Sequence, residues 1–187
     1  MNETLLNTAR SLVDNNQIDD AEKLILDYLK ENPTDSDAWI RLALVEMRPP
    51  YEDHRLIFQW MESLLAYDPL NVNALLILSY VHTNMAGGIP DDIYHKLCQV
   101  KNNDPEVMSM IELAKSWYFS SNTNFIEKEE CLRKSTEYCK SHRKNFVELG
   151  YCLITKGAIA EGEKLIYQGL SNIRYISPNI DTTYFDP

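Results

Sequence analysis

The chain has 187 residues, of which 28 are acidic and 18 basic, and a net charge of −10. Nucleic acids and anionic membranes require a basic surface, so this balance argues against both as the main ligand. The charge is uneven, because residues 1–70 carry 14 acids and 6 bases while residues 71–187 carry 14 and 12. A protein or peptide is therefore the expected partner.

Targeting features are weak in this sequence. The first residues lack the basic and apolar segments of a signal peptide. The longest apolar stretch, about residues 74–81, is far shorter than the roughly 20 residues that span a bilayer. The four cysteines have no regular spacing, so we expect reduced thiols. These features predict a cytoplasmic protein that does not bind membranes.

A repeat of 34–36 residues runs through the chain. Pro33, Pro69 and Pro105 are spaced by 36 residues, and each follows Asn or Asp. A second marker has the same period: a bulky residue is followed, three positions later, by a pair that ends in a small residue. Its five copies are Leu5…Thr8-Ala9, Trp39…Leu42-Ala43, Leu75…Leu78-Ser79, Met110…Leu113-Ala114 and Phe146…Leu149-Gly150. This period predicts one helix-turn-helix per repeat, stabilised by stacking on its neighbours.

In chain order, the pattern predicts a helix from Thr4 to about Asn15 and a second helix that ends before Asn32-Pro33. The inner turns of the later pairs fall at about residues 48–53, 85–92, 120–124 and 156–157. We therefore predict nine or ten helices in a repeat domain of residues 1–174, followed by an extended tail at 175–187. The five repeats are at about 2–35, 36–71, 72–106, 107–142 and 143–174.

These residues resemble the tetratricopeptide repeat. The closest copy consists of Leu5, Thr8-Ala9, Leu12, Ala21, Ile25, Tyr28 and Pro33, and the opening of the next copy is Trp39-x-x-Leu42-Ala43. The second helices depart from the family pattern, since Ile57, Ile93 and Cys131 stand where a small residue is expected. The resemblance implies an all-α fold, a right-handed superhelical solenoid. The first helix of each helix-turn-helix repeat would line a concave groove in which a peptide or helix binds.

Applying the family's helix positions to this sequence predicts a partner-binding groove. Its residues are Arg10, Arg41, Leu44, Arg48, Tyr80, Asn84, Lys115, Tyr118 and Tyr151. Tyrosine suits recognition because it buries a large ring with few rotatable bonds and keeps a polar group. For aliphatic members such as Leu44, packing between repeats is the alternative. The clamp that grips chaperone tails is absent, because Leu6 and Leu76 occupy two of its positions.

The sequence shows no catalytic pattern, so we predict no enzyme, no cofactor and no metal. Cys131, Cys139 and His142 are close in sequence but lack Cys-x-x-Cys spacing. Gly87-Gly88 lacks the Gly-Lys-Ser/Thr ending of a phosphate-binding loop. We interpret one basic run as a solvated helix face: Arg133, Lys134, Lys140, Arg143 and Lys144.

Two functional hypotheses remain open. The first is an interaction adaptor that presents a rigid groove to a segment of another protein. The alternative is a dedicated chaperone or an inhibitor of the immunity type, which sequesters one protein through the acidic surface of the first repeats. The last helix carries an apolar stripe that includes Leu165, Ile166, Leu170 and Ile173. We expect the tail to cover it, the alternative being a homodimer through the C-terminal repeat.

Overall fold

The computed structural model describes residues 1, 3–47, 53–119 and 124–171. Within these ranges the regular structure consists of ten α-helices and one 3₁₀ turn, with no β-strand. The predicted all-α repeat fold is thereby confirmed. Arg48, Ile173 and the predicted tail at 175–187 lie outside the described residues.

The chain divides into two compact units, and the division falls inside α5, between Ala74 and Leu75. Unit 1 contains α1 (Glu3–Asp14), α2 (Ile18–Glu31), α3 (Ser36–Glu46), α4 (His54–Tyr67) and the first residues of α5 (Val72–Ala86). Successive helices α1 to α4 pack on one another in this unit. The five repeat boundaries and the single repeat domain stay predictions.

Unit 2 contains the remainder of α5 and five further helices. They are α6 (Asp91–Gln99), α7 (Pro105–Ser116), the 3₁₀ turn Trp117–Phe119, α8 (Phe125–Tyr138), α9 (Arg143–Thr155) and α10 (Ile159–Ser171). Helix α7 packs on α6 and α8, α8 also packs on α9, and α9 packs on α10.

Short polar side chains set the starts of several helices. Asp35, Asp53 and Asp104 precede α3, α4 and α7, and each carboxylate accepts a hydrogen bond from a backbone N–H in the first turn. Asn71 caps α5 in the same way through Ala74 N, at 3.1 Å. Such caps satisfy amide groups that the helix itself leaves unpaired. Pro105 is the first residue of α7, where the absence of an N–H costs nothing.

The bulky residue and the following residue pair that mark most of the repeats lie in the core. Each of the following is at most 4% exposed: Leu42, Ala43, Leu75, Leu78, Leu113, Ala114, Phe146 and Leu149. The larger residues on the second helices are buried as well, with Ile57 at 1% and Ile93 at 3% exposure. Trp39, the bulky marker residue of the second repeat, was expected in the core as well, but it is only half-buried. Its indole N–H donates to the Pro33 carbonyl at 2.8 Å, which holds the ring near the surface.

We expect Ala43→Leu and Ala114→Leu each to lower the free energy of unfolding by roughly 1–3 kcal/mol. Both alanines have 0% exposure, so three added carbon atoms must displace a neighbouring helix. Chemical denaturation followed by circular dichroism checks this. Ala160→Leu on an exposed position of α10 is the control. Unchanged midpoints for both buried variants would contradict this repeat register.

Candidate functional site

A lysine contacts two aromatic rings in unit 2. Lys144 is near the start of α9, Tyr80 is on α5, and Trp117 is in the 3₁₀ turn that follows α7. The Lys144 Nζ atom is 5.6 Å from the centroid of each ring. At this distance the ammonium group is attracted to the negative faces of both rings. Side chains from α5, from α9 and from the turn that follows α7 therefore meet at one place.

Tyr151 extends the same surface along α9. It follows Lys144 by seven residues, which corresponds to two helical turns, so both side chains lie on one face about 10 Å apart along the axis. Its side chain is 59% exposed. Asn84, four residues after Tyr80 on α5, is exposed too. We call Tyr80, Lys144 and Tyr151 the aromatic surface of unit 2, and Trp117, which is only 6% exposed, supports Lys144 from the core.

Tyr118 has a different environment from Tyr80 and Tyr151. Its ring stacks on Tyr94 of α6 with the centroids 4.2 Å apart and the planes inclined by 17°. A hydrogen bond to Asp91 raises the pKa of Tyr118, and burial raises the pKa of Tyr94 to about 12. Phe119 packs edge-on against both rings. Tyr118 thus helps to hold the 3₁₀ turn against α6, next to the aromatic surface.

Lys115 forms an ion pair with a glutamate of its own helix, α7. Its Nζ donates to Glu112 Oε1 at 2.7 Å, and Glu112 is only 5% exposed. The second carboxylate oxygen, Oε2, is buried without a hydrogen-bond partner. Lys115 therefore balances a buried negative charge.

The predicted residues of unit 1 are placed as follows. Arg10 is exposed on α1, Leu44 is half-buried on α3, and Arg48 lies outside the described residues. Arg41 donates to Asp37 Oδ2, one turn earlier on α3, at 2.8 Å. A groove of about 550 Å³ runs along α2. It is lined by Asp19, Glu22, Lys23, Leu26, Asp27, Leu29, Lys30 and Trp39.

Trp117, Lys144 and Tyr94 were missed by the sequence interpretation. Lys144 belongs to the basic run interpreted as a solvated face, and its ring contacts depend on helices distant in sequence. Two members of that run do form surface ion pairs: Arg133 with Glu129 and Glu161, and Lys134 with Glu130. The aromatic run Trp117-Tyr118-Phe119, directly after a predicted first helix, was the available indication.

The sulfur and imidazole groups show no metal-binding arrangement. Cys131, Cys139 and Cys152 are buried free thiols, and Cys98 is exposed. Burial lowers the pKa of His142 to about 4, so this imidazole is neutral at pH 7. Among the described residues, no three His, Cys, Asp or Glu side chains are placed to hold a metal ion. Within the same ranges, no helix has the length and apolarity needed to cross a bilayer.

The helix-turn-helix pairs, with small residues buried at a repeating position, define a protein of the helical-repeat class. A family model described as the tetratricopeptide repeat matches residues 2–45. The resemblance to this family that the sequence predicted is thus confirmed. No curated protein matches the chain by sequence.

Solved structures of MamA share the fold. A crystal structure of MamA superposes with a TM-score of 0.67 at 14% identity, over 88% of this chain and 93% of that one. The MamA RS-1 ArsTM double mutant has a TM-score of 0.69 at 10% identity, over 90% and 92% of the two chains. A further MamA structure has a TM-score of 0.67 at 13% identity, over 94% and 97%. At these identities the likeness concerns the fold alone.

Proposed function

We propose that this protein is a non-enzymatic adaptor that binds a peptide or helical segment of another protein on the aromatic surface of unit 2. The observation that supports it most directly is the contact of Lys144 with Tyr80 and with the buried Trp117, together with the exposed Tyr151 on the same face of α9. Aromatic and basic side chains clustered on rigid elements are typical of binding hot spots.

Binding would be favoured because the side chains of this surface are already ordered before a partner arrives. Tyr80 and Tyr151 lie on helices, so little conformational entropy is lost when a partner docks. Tyr151 provides a ring for apolar contact and a hydroxyl for a hydrogen bond. A helical segment fits such a surface through apolar residues spaced three and four apart, and an extended segment through alternate side chains.

Sequestration of one basic partner by unit 1 is a second candidate function. The exposed Asp19 and Asp20 lie at the start of α2, and Asp19 also lines the groove that contains Trp39 and Leu26. Other acids of this unit already bind local cations, as Asp27 binds Lys30 and Asp37 binds Arg41. This reduces the negative charge offered to a partner.

Cytoplasmic location and a homodimer through the C-terminal repeat stay proposals, and α10 of that repeat exposes Tyr167 and Leu170.

We expect Tyr151→Ala and Tyr80→Ala each to weaken partner binding by roughly 1 kcal/mol or more, about a fivefold rise in Kd. Partners would be captured from cell extract on the full chain, identified by mass spectrometry and titrated individually. Tyr138→Ala is the matched control, because Tyr138 is 45% exposed but lies at the end of α8, a second helix. All three variants should keep the wild-type circular dichroism spectrum.

A different set of binding results would favour sequestration by unit 1. In that case Asp19→Lys with Asp20→Lys abolishes binding, both tyrosine variants bind normally, and one stoichiometric partner is recovered. Asp35 and Asp37 are unsuitable for this test, because Asp35 caps α3 and Asp37 binds Arg41. Reversing either charge would also remove a local bond, the α3 cap or the Arg41 ion pair, so a lost signal could not be assigned to charge alone.

A further inference from the structure

Four charged side chains form a connected network between three helices of unit 2. Glu129 of α8 accepts a hydrogen bond from Arg133 Nε, one turn further along α8, at 2.7 Å. Glu129 also forms an ion pair with Lys156, the residue that follows α9. Arg133 Nη2 in turn donates to Glu161, in the first turn of α10, at 3.1 Å. The network therefore connects the end of α9 and the start of α10 to α8.

Glu129 is the centre of this network. Its Oε1 atom accepts from Arg133 and its Oε2 atom from Lys156, so both carboxylate oxygens are used. Its side chain is only 16% exposed, whereas those of the other three residues are 36–53% exposed. The bond from Lys156, followed by the bond from Arg133, lowers the pKa of Glu129 against the opposing effect of burial, so the carboxylate is ionised at pH 7. Isolated surface ion pairs contribute little to stability, and networks of several charges are the exception.

Helix α9 is attached to its neighbours in a different way near its start. Asn145 of α9 is fully buried, and its Nδ2 donates to Ser109 Oγ of α7 at 2.5 Å. Asn145 and Lys156 are 11 residues apart, which places the two attachments about 16 Å from each other along the helix axis. Helix α10 packs backbone to backbone on α9 at Gly150 and Gly162. The α9–α10 pair is thus held by neutral hydrogen bonds at one end and by charges at the other.

We propose that Lys156, Glu129, Arg133 and Glu161 form an ionic clip, which holds the α9–α10 pair on α8 at low ionic strength and whose release lets the pair move about Asn145. Dissolved ions screen partly exposed charges effectively, but they have little effect on neutral hydrogen bonds in the core. Release would therefore begin at the Lys156 end of α9. Because Tyr151 lies on α9, this movement would also shift it relative to Tyr80 of α5.

The clip is a conformational device within unit 2, and it does not depend on the partner-binding role proposed for the aromatic surface. The tests below measure stability and amide exchange instead of partner binding. Their failure would leave the adaptor proposal as it stands.

The first test compares thermal unfolding of the full chain with that of E129Q and E130Q. Glu130 is the matched control, because it is the next residue on α8 and its 2.7 Å ion pair with Lys134 stays within one helix. In low salt we expect the midpoint to fall by about 2 °C or more for E129Q and by less than about 1 °C for E130Q. In about 1 M NaCl, where the Debye length is about 3 Å, the E129Q deficit should shrink by about half or more. Equal midpoints for the two variants in low salt, or an E129Q deficit that salt does not change, would overturn the proposal.

A double-mutant cycle examines the bond between Glu129 and Lys156. K156M keeps most of the aliphatic side chain and removes the charge. If the two residues act through their ion pair, E129Q combined with K156M should lower the midpoint by clearly less than the sum of the two single losses. Additive losses would mean that the two charges act separately, and the clip would then be disproved.

The last test uses the wild-type chain and asks whether release is local. Amide hydrogen exchange would be followed by mass spectrometry in about 0.01 M and about 1 M NaCl, where the Debye lengths are about 30 Å and 3 Å. We expect the amides of α10 and of the last turn of α9 to exchange about fivefold or more faster in high salt, while those of α7 keep their rates. In E129Q the same amides should exchange quickly at both salt concentrations. Unchanged exchange in α10 of the wild type, or an equal acceleration in α7 and α10, would overturn the proposal.

Discussion

Gly162→Ala in α10 is expected to destabilise the protein by roughly 2–3 kcal/mol, a fall of roughly 4–12 °C in the unfolding midpoint. A Cβ atom at this position would lie 2.6 Å from the Gly150 carbonyl oxygen and 2.6 Å from Ile154 Cγ1. The contact is reciprocal, since a Cβ on Gly150 would lie 2.7 Å from the Gly162 carbonyl oxygen. Two helix backbones are in direct contact here, and a backbone cannot rotate away as a side chain can.

The expected loss exceeds the gain that alanine brings to an isolated helix. Alanine is favoured over glycine in a helix interior by about 1 kcal/mol, and the steric cost has to outweigh that amount. Gln168→Ala on the exposed side of α10 should change stability by no more than about 0.5 kcal/mol. Thermal and urea unfolding of both variants provide the comparison. A Gly162→Ala midpoint equal to the wild type's would show that α9 and α10 separate without cost.

Asn145→Asp should have the largest effect of all, a loss of roughly 3–5 kcal/mol at pH 7. Asn145 is fully buried, and its Nδ2 donates to Ser109 Oγ at 2.5 Å and to the Ser135 carbonyl at 3.4 Å. Ser109 and Ser135 also exchange reciprocal bonds, each hydroxyl donating to the carbonyl of the other. A carboxylate in place of the amide sets an acceptor against the Ser135 carbonyl and buries an unpaired charge.

The pH dependence separates buried charge from lost contact. Burial raises the pKa of an introduced carboxyl, so the stability deficit should grow as pH rises and shrink in acid. Asn145→Ala removes the donor without adding charge, and we expect a loss of roughly 1–2 kcal/mol that does not vary with pH. Urea unfolding at pH 5 and pH 7 measures both variants. Equal deficits for the two at pH 7 would mean that the carboxylate finds water or a donor in this position.

Local features of the sequence were sufficient for the repeat and its helices. Leu42-Ala43 and Leu113-Ala114 recur in register, and all four residues are buried, because a helix face that packs on its neighbours must carry the same residue types in every repeat. Tyr80 and Tyr151 were predicted to line the partner-binding groove, and that role stays a prediction. The family positions indicated them, and they are half-buried and 59% exposed respectively.

Side-chain partnerships were beyond the reach of the sequence. Lys144 is 64 residues from Tyr80 and 27 from Trp117 in the chain, and nothing local distinguishes it from the solvated lysines near it. Glu46 looks like an ordinary acid of an amphipathic helix, yet it is buried and its Oε1 accepts a hydrogen bond from the Asp53 N–H. Tyr118, predicted for partner binding, has its ring stacked on Tyr94.

The sequence by itself therefore determined the period, the all-α class and the buried positions, because helix formation and hydrophobic burial depend on residues a few positions apart and repeat identically. The tertiary structure alone decided where charges and aromatic rings meet. The Lys144 site, the Asn145 hydrogen bonds and the Gly150–Gly162 contact each join residues from different helices. Such pairings depend on the rotation and spacing of packed helices, which shape complementarity fixes only after the chain has folded.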